Sequence, residues 1–124
     1  MTGYSVEIVE VSKELSAKER IQLKDTTDVV KLDTATALEE VVVDVDFYAE
    51  LSIHNEHSED KDYANYVLVD KDGTRYVTGS ESFWSAFKNI YSEMENSGED
   101  WQLKIYQMPS KNRQGKNFIT CSVL

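Results

Sequence analysis

The chain has 124 residues, of which 40% are apolar, 10% aromatic and 29% charged, with a formal net charge of −10 at pH 7. That length suits one domain with a core and is short for two, and the apolar content excludes general disorder. The acidity disfavours non-specific attachment to membranes or duplex DNA, and fits either a solvated outer face or imitation of the charge of DNA.

Tyr4 to Val11 reads as a short strand, and Ser12 to Arg20 has helical composition, with Ser16 and Glu19 spaced as a capping box. Between Ile21 and Leu38 the pattern is open: Lys24 to Asp28 looks like a turn, and Val29, Val30 and Leu32 fit a strand or an irregular arm. From Val41 the apolar residues Val41, Val43, Val45, Phe47, Ala49, Leu51 and Ile53 alternate with mostly polar ones, the period of one long strand. A charged loop, Asn55 to Asp62, follows. Tyr63 to Val69 and Thr74 to Thr78 then flank Asp70-Lys71-Asp72-Gly73, a hairpin whose glycine supplies the positive φ of a tight reversal.

Glu81 to Asn96 is the strong helix, with Phe83, Trp84, Phe87, Ile90, Tyr91 and Met94 at spacings of three and four, Ser80 as its cap and Gly98 past its end. That stripe is expected to be core. Trp101 to Met108 and Asn117 to Val123 alternate around a polar stretch, Pro109 to Lys116, and close the chain with a second hairpin. The fold expected is mainly β with one main helix. Residues 1–124 form a single domain, with 1–40 an N-terminal extension of uncertain structure. Residues 41–124 give five strands with a helix between the third and fourth, the order of a five-stranded oligonucleotide-binding (OB) barrel.

Charge is unevenly placed along this string. The last 24 residues carry four basic and no acidic side chains, so the first 100 hold the other nine basic and all 23 acidic ones. A body of formal charge −14 thus joins a segment of +4, and attraction to a polyanion depends on where positive charge sits. If Trp101, Leu103, Ile105, Ile119, Cys121 and Val123 point inward, then Gln102, Lys104, Tyr106, Phe118 and Thr120 point outward. Lys104, Tyr106 and Phe118 would then share an exposed face, beside Lys111, Arg113 and Lys116 on the turn. Rings on a sheet stack on bases and cations at its rim meet phosphates, the pairing that sequence-tolerant single-strand binders use. Tyr48, Tyr66 and Tyr76 are second-rank stacking candidates.

Other chemistry is sparse. His54 and His57, near Asn55, Glu56, Glu59 and Asp60, would need a helix to converge on a metal, and their surroundings read as a strand end and an acidic loop. The Asp70 to Gly73 turn is shorter than the about 12 residues of a calcium loop. There is no phosphate-binding glycine loop and no nucleophile signature, so neither an enzyme nor a cofactor is expected. Cys121 is the only cysteine, which precludes an internal disulfide and suggests a buried small hydrophobe in a reducing compartment. No secretory signal and no run of roughly 20 apolar residues is present, so a soluble cytoplasmic protein is expected, in the host cytoplasm if phage-encoded.

Asp72-Gly73 followed by Tyr76, then Ser80 and its helix, Leu103-Lys104-Ile105, Ser110, Gly115-Lys116-Asn117-Phe118 and Ser122 form a series spread over residues 63 to 124. This region resembles the small single-stranded DNA-binding proteins of tailed phages of Gram-positive bacteria and related mobile elements, including protein-primed replication systems. The resemblance implies an OB-like fold, sequence-independent protection of single strands in replication or recombination, and DNA contacts at Tyr76, Lys104, Lys116 and Phe118. It departs from bacterial replication-type binders at the end, where strand sequence stands in place of an acidic recruiting tail. The partner expected is single-stranded DNA, with RNA admitted by the same chemistry; self-association and contact with replication or recombination proteins are compatible, a membrane is not. The competing expectation is an acidic, DNA-mimicking phage-type inhibitor of a host protein, for which a basic C-terminal hairpin has no use.

Overall fold

A computed structural model describes residues 4–25, 28–57, 62–109 and 117–124. The chain runs β1 (Tyr4–Val11), α1 (Ala17–Lys24), β2 (Val30–Lys31), α2 (Leu32–Leu38), β3 (Val41–Val43), β4 (Val45–Asn55), β5 (Asp62–Asp70), β6 (Arg75–Thr78), α3 (Glu81–Met94), β7 (Leu103–Pro109) and β8 (Asn117–Val123). Among the described residues the fold is mainly β with three helices. The strands form one sheet in the order β1-β4-β5-β6-β2 and another in the order β3-β7-β8. Among the described residues the sheets are not closed into a barrel, in place of the single five-stranded barrel expected; four strands, β1, β2, β3 and β8, stand at sheet ends, whereas closure gives every strand two neighbours.

The difference begins in two places. The alternating run from Val41 is divided at Asp44 into β3 and β4, which enter different sheets. The first 40 residues, expected as an extension, contribute two strands and two helices, and β1 pairs antiparallel along β4 from Tyr4↔Asn55 to Val11↔Ala49 with an irregularity between Ile8 and Glu10. Both α1 and α3 begin after a capping serine; the helical composition read over Ser12 to Arg20 becomes a helix only from Ala17, running on to Lys24, because Ser16 caps it. The Ser16 hydroxyl accepts the Glu19 N–H at 3.2 Å while the Glu19 carboxylate accepts the Ser16 N–H at 3.0 Å. Ser80 accepts the Phe83 N–H at 3.2 Å. The β5–β6 turn has Gly73 at φ 93°, where a side chain would be strained.

Two compact units divide the chain. The first comprises the residues up to Val30 together with Asp46–Gly79, and its core is Leu23, Phe47, Ala49, Leu51, Ile53, Val67, Val69 and Val77, with Val6, Ile8 and Leu15 packed against it. The second comprises Lys31–Val45 and Ser80–Leu124; Leu32, Val43, Phe83, Phe87, Leu103 and Ile105 are fully buried there. In α3 the stripe read from spacing buries Phe83, Trp84 and Phe87, and a series of ring contacts runs from Trp84 through Phe87 and Tyr91 to Trp101 at centroid separations of 5.1, 5.7 and 6.2 Å. Among the described residues no helix is long and apolar enough to cross a membrane.

Candidate nucleic-acid interface

The site is a sheet face whose register is set by two antiparallel pairings. β7 and β8 match Lys104↔Ser122, Tyr106↔Thr120 and Met108↔Phe118, and β3 adds Val42↔Lys104. Alternation sends the intervening Val43, Leu103, Ile105, Ile119 and Cys121 into the interior, and all five are buried. The inner row also carries Gln107, whose amide donates to Thr36 Oγ1 at 3.0 Å and to the Asp33 carbonyl at 3.2 Å, tying β7 to α2. A sheet anchored on one side in this way turns Val42, Lys104, Tyr106, Met108, Phe118, Thr120 and Ser122 to its other side.

On that outer face Phe118 and Met108 are 38% and 44% exposed and stand directly opposite one another. Tyr106 is half-buried; its hydroxyl lies 2.7 Å from Ser122 Oγ, a diagonal bond across the strands that fixes the ring. The Lys104 ammonium sits 5.3 Å from the centroid of that ring, within cation–π range. The three residues expected to share a face do so. Met108 and Val42 join them. Met108 was legible as the next step of the alternation Lys104, Tyr106, Met108, whereas Val42 arrives through the β3–β7 pairing, for which the local pattern holds no signal. Lys111, Arg113 and Lys116 lie outside the described residues.

The other stacking candidates are corrected or relocated. Tyr48 and Tyr66 are each only 8% exposed, which leaves no ring face for a base. The cause is that β4 and β5 are interior strands, buried on both faces over Phe47–Ala49 and Tyr66–Val69, and alternation cannot mark a strand covered on both sides. Tyr76 lies on β6 in the other compact unit, half-buried; burial and then the carboxylates of Asp70 and Asp72 push its hydroxyl above its ordinary pKa, and a setting with that charge repels phosphate. Val123, expected inward, is 46% exposed at the strand end.

Elsewhere the chemistry is of other kinds. His54 Nδ1 lies 2.7 Å from Asp62 and its Nε2 3.6 Å from Glu56, and the hydrogen bond to Asp62 raises the imidazole pKa. Among the described residues no group of three or more His, Cys, Asp or Glu could hold a metal ion. Burial pushes the Cys121 thiol up to about 12, which favours its protonated form at neutral pH. A cleft of about 530 Å³ in the first unit is lined by four acidic residues, Glu19, Asp25, Asp46 and Asp70, against two basic ones, Lys71 and Arg75, a net negative setting unfavourable for a polyanion. Its Arg75 guanidinium donates to the carbonyls of Gln22 and Asp25 at the end of α1. Comparison of the chain with models of known families, with curated proteins and with solved structures finds no match in any of the three.

Proposed function

We propose that this protein binds single-stranded DNA without reading its sequence, on the outer face of the β3-β7-β8 sheet, and protects it in phage or mobile-element replication or recombination. The observation that carries the reading is the shared face of Tyr106, Met108 and Phe118, with the Lys104 ammonium beside the Tyr106 ring. Bases of a single strand have free π-faces for Tyr106 and Phe118, and Met108 and Val42 extend the apolar platform. Lys104 supplies a phosphate contact from the same face, and Lys111, Arg113 and Lys116 in the β7–β8 connection supply more positive charge. The mechanism is stoichiometric and uses no cofactor. It asks for an open, one-sided sheet and not for a closed barrel.

Duplex DNA hides base faces and leaves phosphates alone to bind, so a stacking face discriminates between the two forms. The test is a titration of intrinsic fluorescence with a single-stranded homopolymer and with a duplex of equal length at moderate salt. Tighter binding of the single strand is expected. Equal affinity for both removes the stacking argument. A response flat even at low salt removes nucleic-acid binding altogether and turns attention to DNA mimicry, in which capture of a basic host protein is lost when Glu56, Glu59, Asp60 and Asp62 are neutralised.

A further inference from the structure

The chain carries 23 acidic residues, yet among the described residues no carboxylate forms an ion pair with Lys104. Its ammonium stands over the Tyr106 ring instead, 5.3 Å from the centroid. At an exposed site such a contact is worth about two- to fivefold in an equilibrium constant.

The ring is held in place from its other end. Tyr106 faces Thr120 across the strands, and its hydroxyl reaches diagonally to Ser122 Oγ at 2.7 Å. A serine oxygen stays close to the backbone, so a ring bonded to it lies along the sheet and does not stand out from it, in keeping with the half-burial of Tyr106. The strands cover one face of this ring and the ammonium the other. Phe118, on the same side of the sheet, differs: it is 38% exposed, and among the described residues no cation or second ring lies against it.

We infer that Lys104 covers Tyr106 in the free protein and exchanges the ring for a phosphate when a base arrives, so that this ring accepts only bases carried on a charged backbone. The inference rests on the reading of this face as a single-strand interface. A base that stacks on Tyr106 displaces the ammonium from it. On a phosphodiester strand the ammonium moves to a phosphate beside the stacked base, and the lost ring contact is offset by a charge-assisted one. On an uncharged strand it returns to water and the ring contact is lost without replacement. Lys104 is thus a specificity-determining residue as well as a phosphate contact. The ligand class it selects is the phosphodiester single strand, against free bases, nucleosides and uncharged analogues.

Fluorescence titration of the full chain with two thymidine homopolymers of equal length, one of ordinary DNA and one with an uncharged methylphosphonate backbone, tests it. The proteins are the wild type, Lys104→Thr, Tyr106→Ala and the double variant. Threonine suits a strand and is too short to reach over the ring, and Lys104→Ala replaces it should that variant fail to fold. Lys104→Thr is expected to weaken DNA binding and flatten its log-salt slope by about 0.7, and to strengthen binding of the uncharged strand about two- to fivefold. That gain is expected to vanish in the Tyr106→Ala background. An uncharged strand does not feel the loss of a positive charge, so a lysine that only meets phosphate predicts no gain. Affinity for the uncharged strand that stays level or falls, a gain that survives without the Tyr106 ring, or an unaltered DNA slope overturns the inference, while DNA binding by the wild type leaves the interface itself standing. A wild type that binds neither strand removes the interface and the inference with it.

Discussion

At the residue scale, what separates an outward ring from a core ring is which way its position points. Phe118 and Tyr106 stand on the outer face of β8 and β7, whereas Phe87 is fully buried in α3. Tyr106→Ala and Phe118→Ala are each expected to weaken single-strand binding by about 1 to 3 kcal/mol and to leave cooperative unfolding in place, because stacking is lost and no core is opened. Phe87→Ala is expected to cost about 3 to 5 kcal/mol of stability through the cavity it leaves. Fluorescence titration and thermal unfolding of the three variants check both. Unchanged affinity in both strand variants would mean that this face is not the site. Tyr48→Leu and Tyr66→Leu should leave the affinity of the folded protein untouched, since neither ring is accessible.

At the element scale, the β7–β8 hairpin is where the basic residues of the C-terminal segment and the outward rings of Tyr106 and Phe118 coincide. Lys104 on β7, with Lys111, Arg113 and Lys116 in the connection, can neutralise about four phosphates, so the slope of log affinity against log salt is expected near −3, at roughly −0.7 per phosphate on a single strand. Replacing Lys111, Arg113 and Lys116 by glutamine should flatten it to about −1, because Lys104 alone is left of the four. A slope that stays near −3 would assign the phosphate contacts to other elements. Both hairpins and α3 were legible along the chain, since turn chemistry, capping residues and a single apolar stripe are local properties. The role of β4 was not. Its alternation announces one covered face, and Tyr48 is covered only because β4 became an interior strand.

At the scale of the whole molecule, with its formal net charge of −10, hydrogen bonds to titrating groups set the response to pH. His54 takes its raised pKa from hydrogen bonding to Asp62, with Glu56 adding to it. A group whose pKa rises on folding stabilises the fold fully below its unfolded value, here about 6.5, and loses that contribution as pH climbs through the folded value. The wild type is therefore expected to exceed His54→Gln in thermal midpoint just below pH 6.5 and to converge on it at alkaline pH. A gap that widens with pH would show that the charged imidazole is not the stabilising form. Glu19 and Asp72 act in the opposite direction: hydrogen bonds from the Ser16 and Thr74 segments lower their pKa values, so their contributions are lost as pH falls through the carboxylate range.

The sequence alone determined where β1, the two hairpins and α3 lie and where α1 is capped. Ser16 with Glu19, Ser80, Gly73 and the spacing of Phe83, Trp84 and Phe87 act over a few residues, so the capped helices, the hairpins and the inward and outward rows of β7 and β8 follow from local chemistry. The tertiary structure decided which strands became neighbours. It split the run at Asp44 between two sheets, brought the first forty residues into the fold through β1, and placed Val42 beside Lys104. It also buried Tyr48 and Tyr66, and set β8 at an end. Strand pairing joins residues far apart in the chain through backbone groups that every residue shares, so it leaves no mark in the local order of side chains.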